Sequence, residues 1–143
     1  MPDEVTIFEA AGGADGMRRL ADAWHERAMA DDVVEHAFSH GFRPDHNERL
    51  AAYLGEALGG PPVYSSTMAN ETEVQRLHAG NGVHVEMDEH AVSTWVQAVD
   101  DLGFTGPLRT ALIEYWTDGV RRMSSHPDTP DSVPSGLSIP QWP

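Results

Sequence analysis

Glycine and proline punctuate this chain at Gly12-Gly13, Phe42-Arg43-Pro44, Gly59-Gly60-Pro61-Pro62, Gly80-Asn81-Gly82 and Gly103 to Pro107. Because these residues end or redirect regular structure, the segments between them are the units available for folding, and each is of helical length. Their hydrophobic period is that of a helix. From Asp15, at an N-cap position, to Ala30, residues Met17, Leu20, Ala21, Trp24 and Ala28 recur at the spacing of one buried stripe, with Arg18, Arg19, Asp22 and Glu26 opposite. Pro44 stands at a first helical position, and His46, Leu50, Tyr53, Leu54 and Ala57 then share a face before Gly59-Gly60. Asn70 and Glu73 have the spacing of a helix cap, and Val74, Leu77 and His78 form a short inward face that ends at Gly80. Met87, Ala91, Trp95, Ala98, Val99 and Leu102 make another stripe, and Leu108, Ala111, Leu112, Tyr115, Trp116, Gly119, Val120 and Met123 the last. Alternation of apolar and polar residues nowhere persists between paired turns, so the fold class is all-α.

Length and composition bound the rest. The 143 residues, 40% of them apolar, suit one compact domain, read as residues 1–123, followed by an irregular tail over 124–143. That tail holds five prolines and is expected to lie against the domain through Leu137, Ile139 and Trp142. A net charge of −14 would repel a phosphate backbone, which argues against a nucleic-acid partner. No apolar run approaches the ~20 residues that cross a bilayer, which argues against a membrane span. With no cysteine, disulfides, thiol nucleophiles and thiolate metal sites are excluded, and the start MPDEVTIFEA lacks a basic region and an apolar signal core. A cytoplasmic protein is expected.

Histidine is the informative residue: His25, His36, His40, His46, His78, His84, His90 and His126. Imidazole is the common side chain of metal and acid-base sites, and position separates candidates from surface residues. His46 lies on a buried stripe, His78 closes a short helix just before Ala-Gly-Asn-Gly, and His25 flanks a stripe beside Trp24. His36 and His40 have the i, i+4 spacing that can present two imidazoles to a metal, but HAFSH lacks the internal Glu of HExxH. His84, His90 and His126 read as surface residues. There is no GxSxG elbow for a serine nucleophile and no Gly-rich loop with the spacing and Lys of a P-loop.

The order of motifs resembles that of truncated haemoglobins, the two-over-two helical globins of bacteria, and group II in particular. The carriers are FEAAGG, then Trp24-His25, Phe38, ERLAAYLGEALGGP with Tyr64 after it, RLHA with His78, and Trp95; together they span residues 7 to 123. The resemblance implies a two-over-two sandwich around haem b, with His78 as proximal iron ligand and Phe38 stacked on the macrocycle. It further implies Trp95 bordering the ligand site, where its indole N–H can serve as a donor. Leu50, Leu54 and Ala91 can line an apolar pocket, and Tyr53 faces either that pocket or the core. Arg49 and Arg76 are the candidates to neutralise the haem propionates. Where the family commonly has a Tyr, this chain has His25, and the distal gate falls on His46, so two imidazoles face the open side of the iron. Either one coordinates iron, His46 first, or both move protons on a bound ligand as general acid and base.

The functions implied are binding of oxygen and other diatomic gases, or redox chemistry on nitric oxide or peroxide with a reductase. A peroxidase-like or nitric oxide dioxygenase-type oxidoreductase using His46 and His25 is the enzymatic alternative. A haem-free globin-fold sensor or interaction domain is the other, and a homodimer is compatible with all three.

Overall fold

The computed structural model describes residues 5–37, 44–80, 82 and 84–142. Eight helices make up the ordered chain among these residues, with no strand. Thr6 opens α1 (Ile7–Ala10) by accepting the Glu9 N–H on its hydroxyl at 3.1 Å. Helix α2 (Gly13–Met29) follows at once, and its cap position is Gly12 at φ +107°, not Asp15, which sits in the first turn. The reversal between the two helices is too tight for a side chain: a Cβ on Gly16 would lie 1.9 Å from the Ala11 carbonyl oxygen. The expected stripe of α2 is its buried face.

Asp31 starts α3 (Asp32–Ala37) by accepting the N–H groups of Val33 and Val34, both at 3.0 Å. Helix α4 (His46–Ala57) begins two residues after Pro44, because its first ladder bond runs from the Arg49 N–H to the Asp45 carbonyl. Pro44 therefore precedes the cap and is not the first helical residue. A short α5 (Val63–Thr67) leads to α6 (Glu71–His78), which Asn70 caps as the spacing predicts, accepting the Glu73 N–H at 2.9 Å. The long helices α7 (Val85–Asp101) and α8 (Gly106–Met123) complete the set.

Helix α2 packs on α4 and α7, and α7 on α8, so these four helices form the body of the fold. Three tryptophans fill the junction. Trp95 and Trp116 stack in parallel with ring centroids 4.1 Å apart, and Trp24 leans on Trp116 at 5.0 Å. Their indole N–H groups are satisfied inside the protein, Trp24 by the Thr94 hydroxyl at 3.1 Å, Trp95 by the Leu112 carbonyl and Trp116 by the Ala91 carbonyl, each at 3.0 Å. Residues 124–142 are irregular apart from a 3₁₀ turn at Pro130–Ser132. Val133 and Ile139 are buried, the Trp142 N–H bonds the Ala57 carbonyl at 2.6 Å, and its ring meets Tyr115 edge-on at 6.0 Å.

Helix α6 departs from the usual pattern. Its buried side chains are polar, Glu71, Thr72 and Gln75, while Leu77 and His78 are exposed and Val74 is half-buried. The inward face expected of Val74, Leu77 and His78 is thus turned away from the core. Buried polarity is tolerated because each group is bonded: Glu71 accepts from the Tyr53 hydroxyl at 2.6 Å and the Gln75 amide at 2.8 Å. Thr72 donates to the Pro134 carbonyl and accepts from the Leu137 N–H, both at 2.9 Å, which ties α6 to the tail.

Candidate functional site

His78 is the last residue of α6, and its Nδ1 lies 2.8 Å from the Val74 carbonyl oxygen. A carbonyl only accepts, so Nδ1 carries the proton and the neutral ring keeps its lone pair on Nε2. Burial lowers the His78 pKa, outweighing the Val74 hydrogen bond and the Glu71 charge that raise it. The side chain itself is exposed, and the surrounding protein disfavours its charged form. A neutral imidazole oriented by a backbone carbonyl has the donor chemistry of a metal ligand. The chain after it is held in place: the Gly80 N–H bonds the His126 carbonyl at 2.9 Å and the Gly82 N–H bonds the Pro127 carbonyl at 2.8 Å. Gly80 sits at φ +77°, and a Cβ there would stand 3.0 Å from the Pro130 ring.

Two large apolar side chains flank this stretch in the open, Leu77 beside His78 and Val85 at the start of α7. Leu77 is 78% exposed and borders a cleft of about 460 Å³ whose walls are Arg49, Tyr64, Ala69, Glu73 and Arg76, two cations against one carboxylate. Val85, 61% exposed, borders a second cleft of about 590 Å³ near His36, His84 and Met87. Apolar side chains lining openings, with two guanidinium groups at one mouth, match a flat apolar molecule with an acidic edge. Arg49 lies over the Tyr64 ring at 5.7 Å and Arg76 bonds the Val133 carbonyl at 3.3 Å. Both arginines therefore line the same cleft. The residues present fit a haem group, in donor type and in polarity.

Helices α2 and α4 bring His25 and His46 together, with ring centroids 5.5 Å apart and planes tilted by 47°. Burial lowers the His25 pKa, the neighbouring His46 lowers it further, and Asp22 pulls it up. Both rings are half-buried. Two imidazoles this close do not share two positive charges readily, so at least one stays neutral near pH 7 and can accept a proton.

The remaining candidates divide. Leu50 is half-buried one turn beyond His46, whereas Leu54 is fully buried in the core. Tyr53 is a core residue that holds Glu71, and burial raises the pKa of its hydroxyl far above the ordinary value. Trp95 is fully buried, and its N–H, expected as a donor to the pocket, goes to the Leu112 carbonyl. Ala91 is half-buried and offers its carbonyl to Trp116. Phe38 and His40 lie outside the described residues, and among those described no three His, Cys, Asp or Glu side chains gather into a metal site. His84 pairs with Asp88 at 2.9 Å, His90 with Asp31 at 2.8 Å, and His126 with the Ser132 hydroxyl at 3.0 Å.

Sequence reasoning did not select Leu77, Tyr64, Glu71, Asn47 or Asp22 for the site. Leu77 was the legible one, since it falls on the same short stripe as His78. Asn47, next to His46, and Asp22, one helical turn before His25, gain meaning only when α2 and α4 meet.

A helical sandwich that carries one imidazole oriented by a backbone carbonyl and a pair of imidazoles where α2 meets α4 is an arrangement that suits a globin. The profile of bacterial-like globins matches residues 6–124, and the chain belongs to that family. It is 27% identical over 77 residues to a group 1 truncated haemoglobin of Tetrahymena pyriformis, an alignment covering 51% of this chain and 64% of that protein, just under two thirds of its length. The structure of a thermostable haemoglobin from Thermobifida fusca superposes with a TM-score of 0.71 at 26% identity, covering 93% of this chain and all of that one. The group II truncated haemoglobin of Bacillus anthracis has the same fold, with a TM-score of 0.77 at 21% identity over 94% of this chain and 98% of that one. Membership of the family implies ligand binding at haem. No helix among the described residues is long and apolar enough to cross a membrane.

Proposed function

We propose that the protein holds haem b through His78 and binds small ligands, diatomic gases among them, on the face where His25 and His46 lie. The observation that carries this reading is the geometry of His78: an imidazole whose Nδ1–H is fixed on the Val74 carbonyl, beside an apolar residue as open as Leu77. When bound, haem supplies an iron with one coordination position for a ligand and the capacity to change its oxidation state. The chain's own residues do the rest. Val74 fixes the tautomer and rotation of His78, and Gly80 with Gly82 lets the chain leave the helix under the tail without crowding the ring. Leu77 offers apolar cover, and Arg49 with Arg76 offers positive charge at the cleft mouth in an otherwise acidic protein.

The pair of imidazoles on the distal side favours a second reading, proton work on peroxide with a separate reductant. In that reading a neutral ring of His25 or His46 takes the proton from one peroxide oxygen and returns it to the other, while the two electrons that break the oxygen–oxygen bond would come from bound haem, restored by the separate reductant. A cytoplasmic location and a reductase partner are proposed with it.

His78→Gly tests the assignment. In the intact protein the ferric and ferrous absorption spectra should show one haem per chain. In the variant, haem retention should fall, and millimolar imidazole added to the solution should restore it. Full retention by His78→Gly without imidazole would place the ligand elsewhere.

A further inference from the structure

The tail carries a further step, which rests on the reading of His78 as the haem ligand. Helix α6 has eight residues, and a helix shorter than about 12 residues does not hold itself in water, so its neighbours decide whether it forms. It packs on the 3₁₀ turn of the tail and on α8. Leu77 and His78 are exposed, so the hold on α6 comes through its buried polar face.

The tail grips that helix before and after His78. In the first turn the Thr72 hydroxyl donates to the Pro134 carbonyl and accepts the Leu137 N–H, both at 2.9 Å, and Thr72 is buried. One turn on, the Arg76 guanidinium donates to the Val133 carbonyl at 3.3 Å. Past the helix end, the Gly80 N–H bonds the His126 carbonyl at 2.9 Å and the Gly82 N–H bonds the Pro127 carbonyl at 2.8 Å. The gripping segment is itself folded. Thr129 accepts the Asp131 N–H on its hydroxyl at 3.2 Å, the Ser132 hydroxyl donates to the Thr129 carbonyl at 2.8 Å, and Val133 is buried.

We propose that residues 126–137 are a strap that presents His78 to haem, that Thr72 is the positioning residue through which the strap acts, and that haem binding and strap docking stabilise each other. The strap occupies the buried face of α6, whereas haem would cover the open face that carries Leu77, so the two do not compete. Each orders the same short helix. Whichever is in place first therefore lowers the entropy that the second must overcome, and the coupling is reciprocal. The tail thus becomes an element that responds to haem: it opens more often in the haem-free chain than in the loaded one.

The test uses the full chain, haem-free and as the diamagnetic ferrous carbon monoxide complex. Thr72→Val keeps the shape of the side chain and removes its hydroxyl, and Thr72→Ser keeps the hydroxyl. Amide hydrogen exchange followed by NMR reads the Gly80 and Gly82 N–H groups, whose own bonds neither variant touches. In the parent, loading haem should slow both by about tenfold, within the usual range of coupling between two sites. A tail that served the fold alone would open at the same rate in both states. Thr72→Val should speed exchange at Gly80 and Gly82 by about tenfold, the factor that one or two lost hydrogen bonds supply, and should speed haem release to a competing apoglobin comparably; Thr72→Ser should restore the parent rates. The Phe8 N–H, held on the Leu58 carbonyl at 2.9 Å, should keep its parent rate in Thr72→Val, which tells loss of the strap from loss of the fold. If Phe8 speeds as well, the comparison of loaded and haem-free parent decides by itself. Exchange at Gly80 and Gly82 that is unchanged by haem, or unchanged in a Thr72→Val chain that is otherwise folded, overturns the proposal. Haem uptake by the parent, recorded first, separates the two readings: a chain that takes up none sinks the haem assignment and the strap's role with it, while one haem per chain with indifferent Gly80 and Gly82 sinks the strap alone.

Discussion

Leu77 gives the sharpest quantitative test of the cleft. Truncating Leu to Ala removes about three methylene equivalents, worth about 2.4 kcal/mol when a Leu is fully covered. Leu77 is 78% exposed, so in the haem-free protein little of that value is already used, and Leu77→Ala should change its unfolding free energy by no more than about 0.5 kcal/mol. If haem covers the exposed part, the loss appears on binding instead: 0.78 of the full value is about 1.9 kcal/mol, or about 20-fold in haem affinity. Leu54, on α4 and fully buried, is the control. Leu54→Ala should destabilise the haem-free chain by about 2–5 kcal/mol, as cavities in packed cores do. Urea unfolding of the haem-free proteins measures the first quantity, and transfer of haem to an excess of a competing apoglobin measures the second. The reasoning fails if Leu77→Ala unfolds as readily as Leu54→Ala while releasing haem at the parent rate.

The other expectations are narrower. Gly80→Ala places a side chain at φ +77° and 3.0 Å from the Pro130 ring, so it should cost about 1–2 kcal/mol in denaturant unfolding and loosen the loop that follows His78; an unchanged midpoint would show that the loop is not so tightly held. The His90–Asp31 pair predicts a pH signature. Its hydrogen bond to Asp31 raises the His90 pKa, so the stability it contributes is fully present below about pH 6.5 and is lost as pH rises through the raised value. Asp31 is shifted down, chiefly by the Val34 N–H and then by His90, so its share is present above pH 3.8 and is lost only as pH falls through the lowered value. His90→Gln should therefore abolish a decline in stability that the parent shows as pH rises above 6.5, and parallel pH profiles for the two would remove the pair from the account.

Much of the fold can be read locally. A helix is written in neighbours three and four residues apart, so the stripe Met17, Leu20, Ala21, Trp24 and Ala28 predicts the buried face of α2, and Asn70 with Glu73 predicts where α6 begins. Helix starts were legible only where the cap was a side-chain bond. Pro44 and Asp15 were misplaced because the turns before α4 and α2 are shaped by backbone bonds and by the Gly12-Gly13 reversal, which composition does not specify.

By itself the sequence determined that the chain is all-helical, where most of its helices run, that histidine is its candidate chemistry, and that His25, His46 and His78 stand at positions resembling those of a globin. The tertiary structure decided the rest, since contacts between residues far apart in the chain depend on how helices cross. It turned the apolar stripe of α6 away from the core and buried Glu71, Thr72 and Gln75 in its place. The Trp95 N–H went to Leu112, a partner 17 residues away that no periodicity names. Only the crossing of α2 and α4 puts His25 beside His46 and brings the Asn47 amide to Asp22.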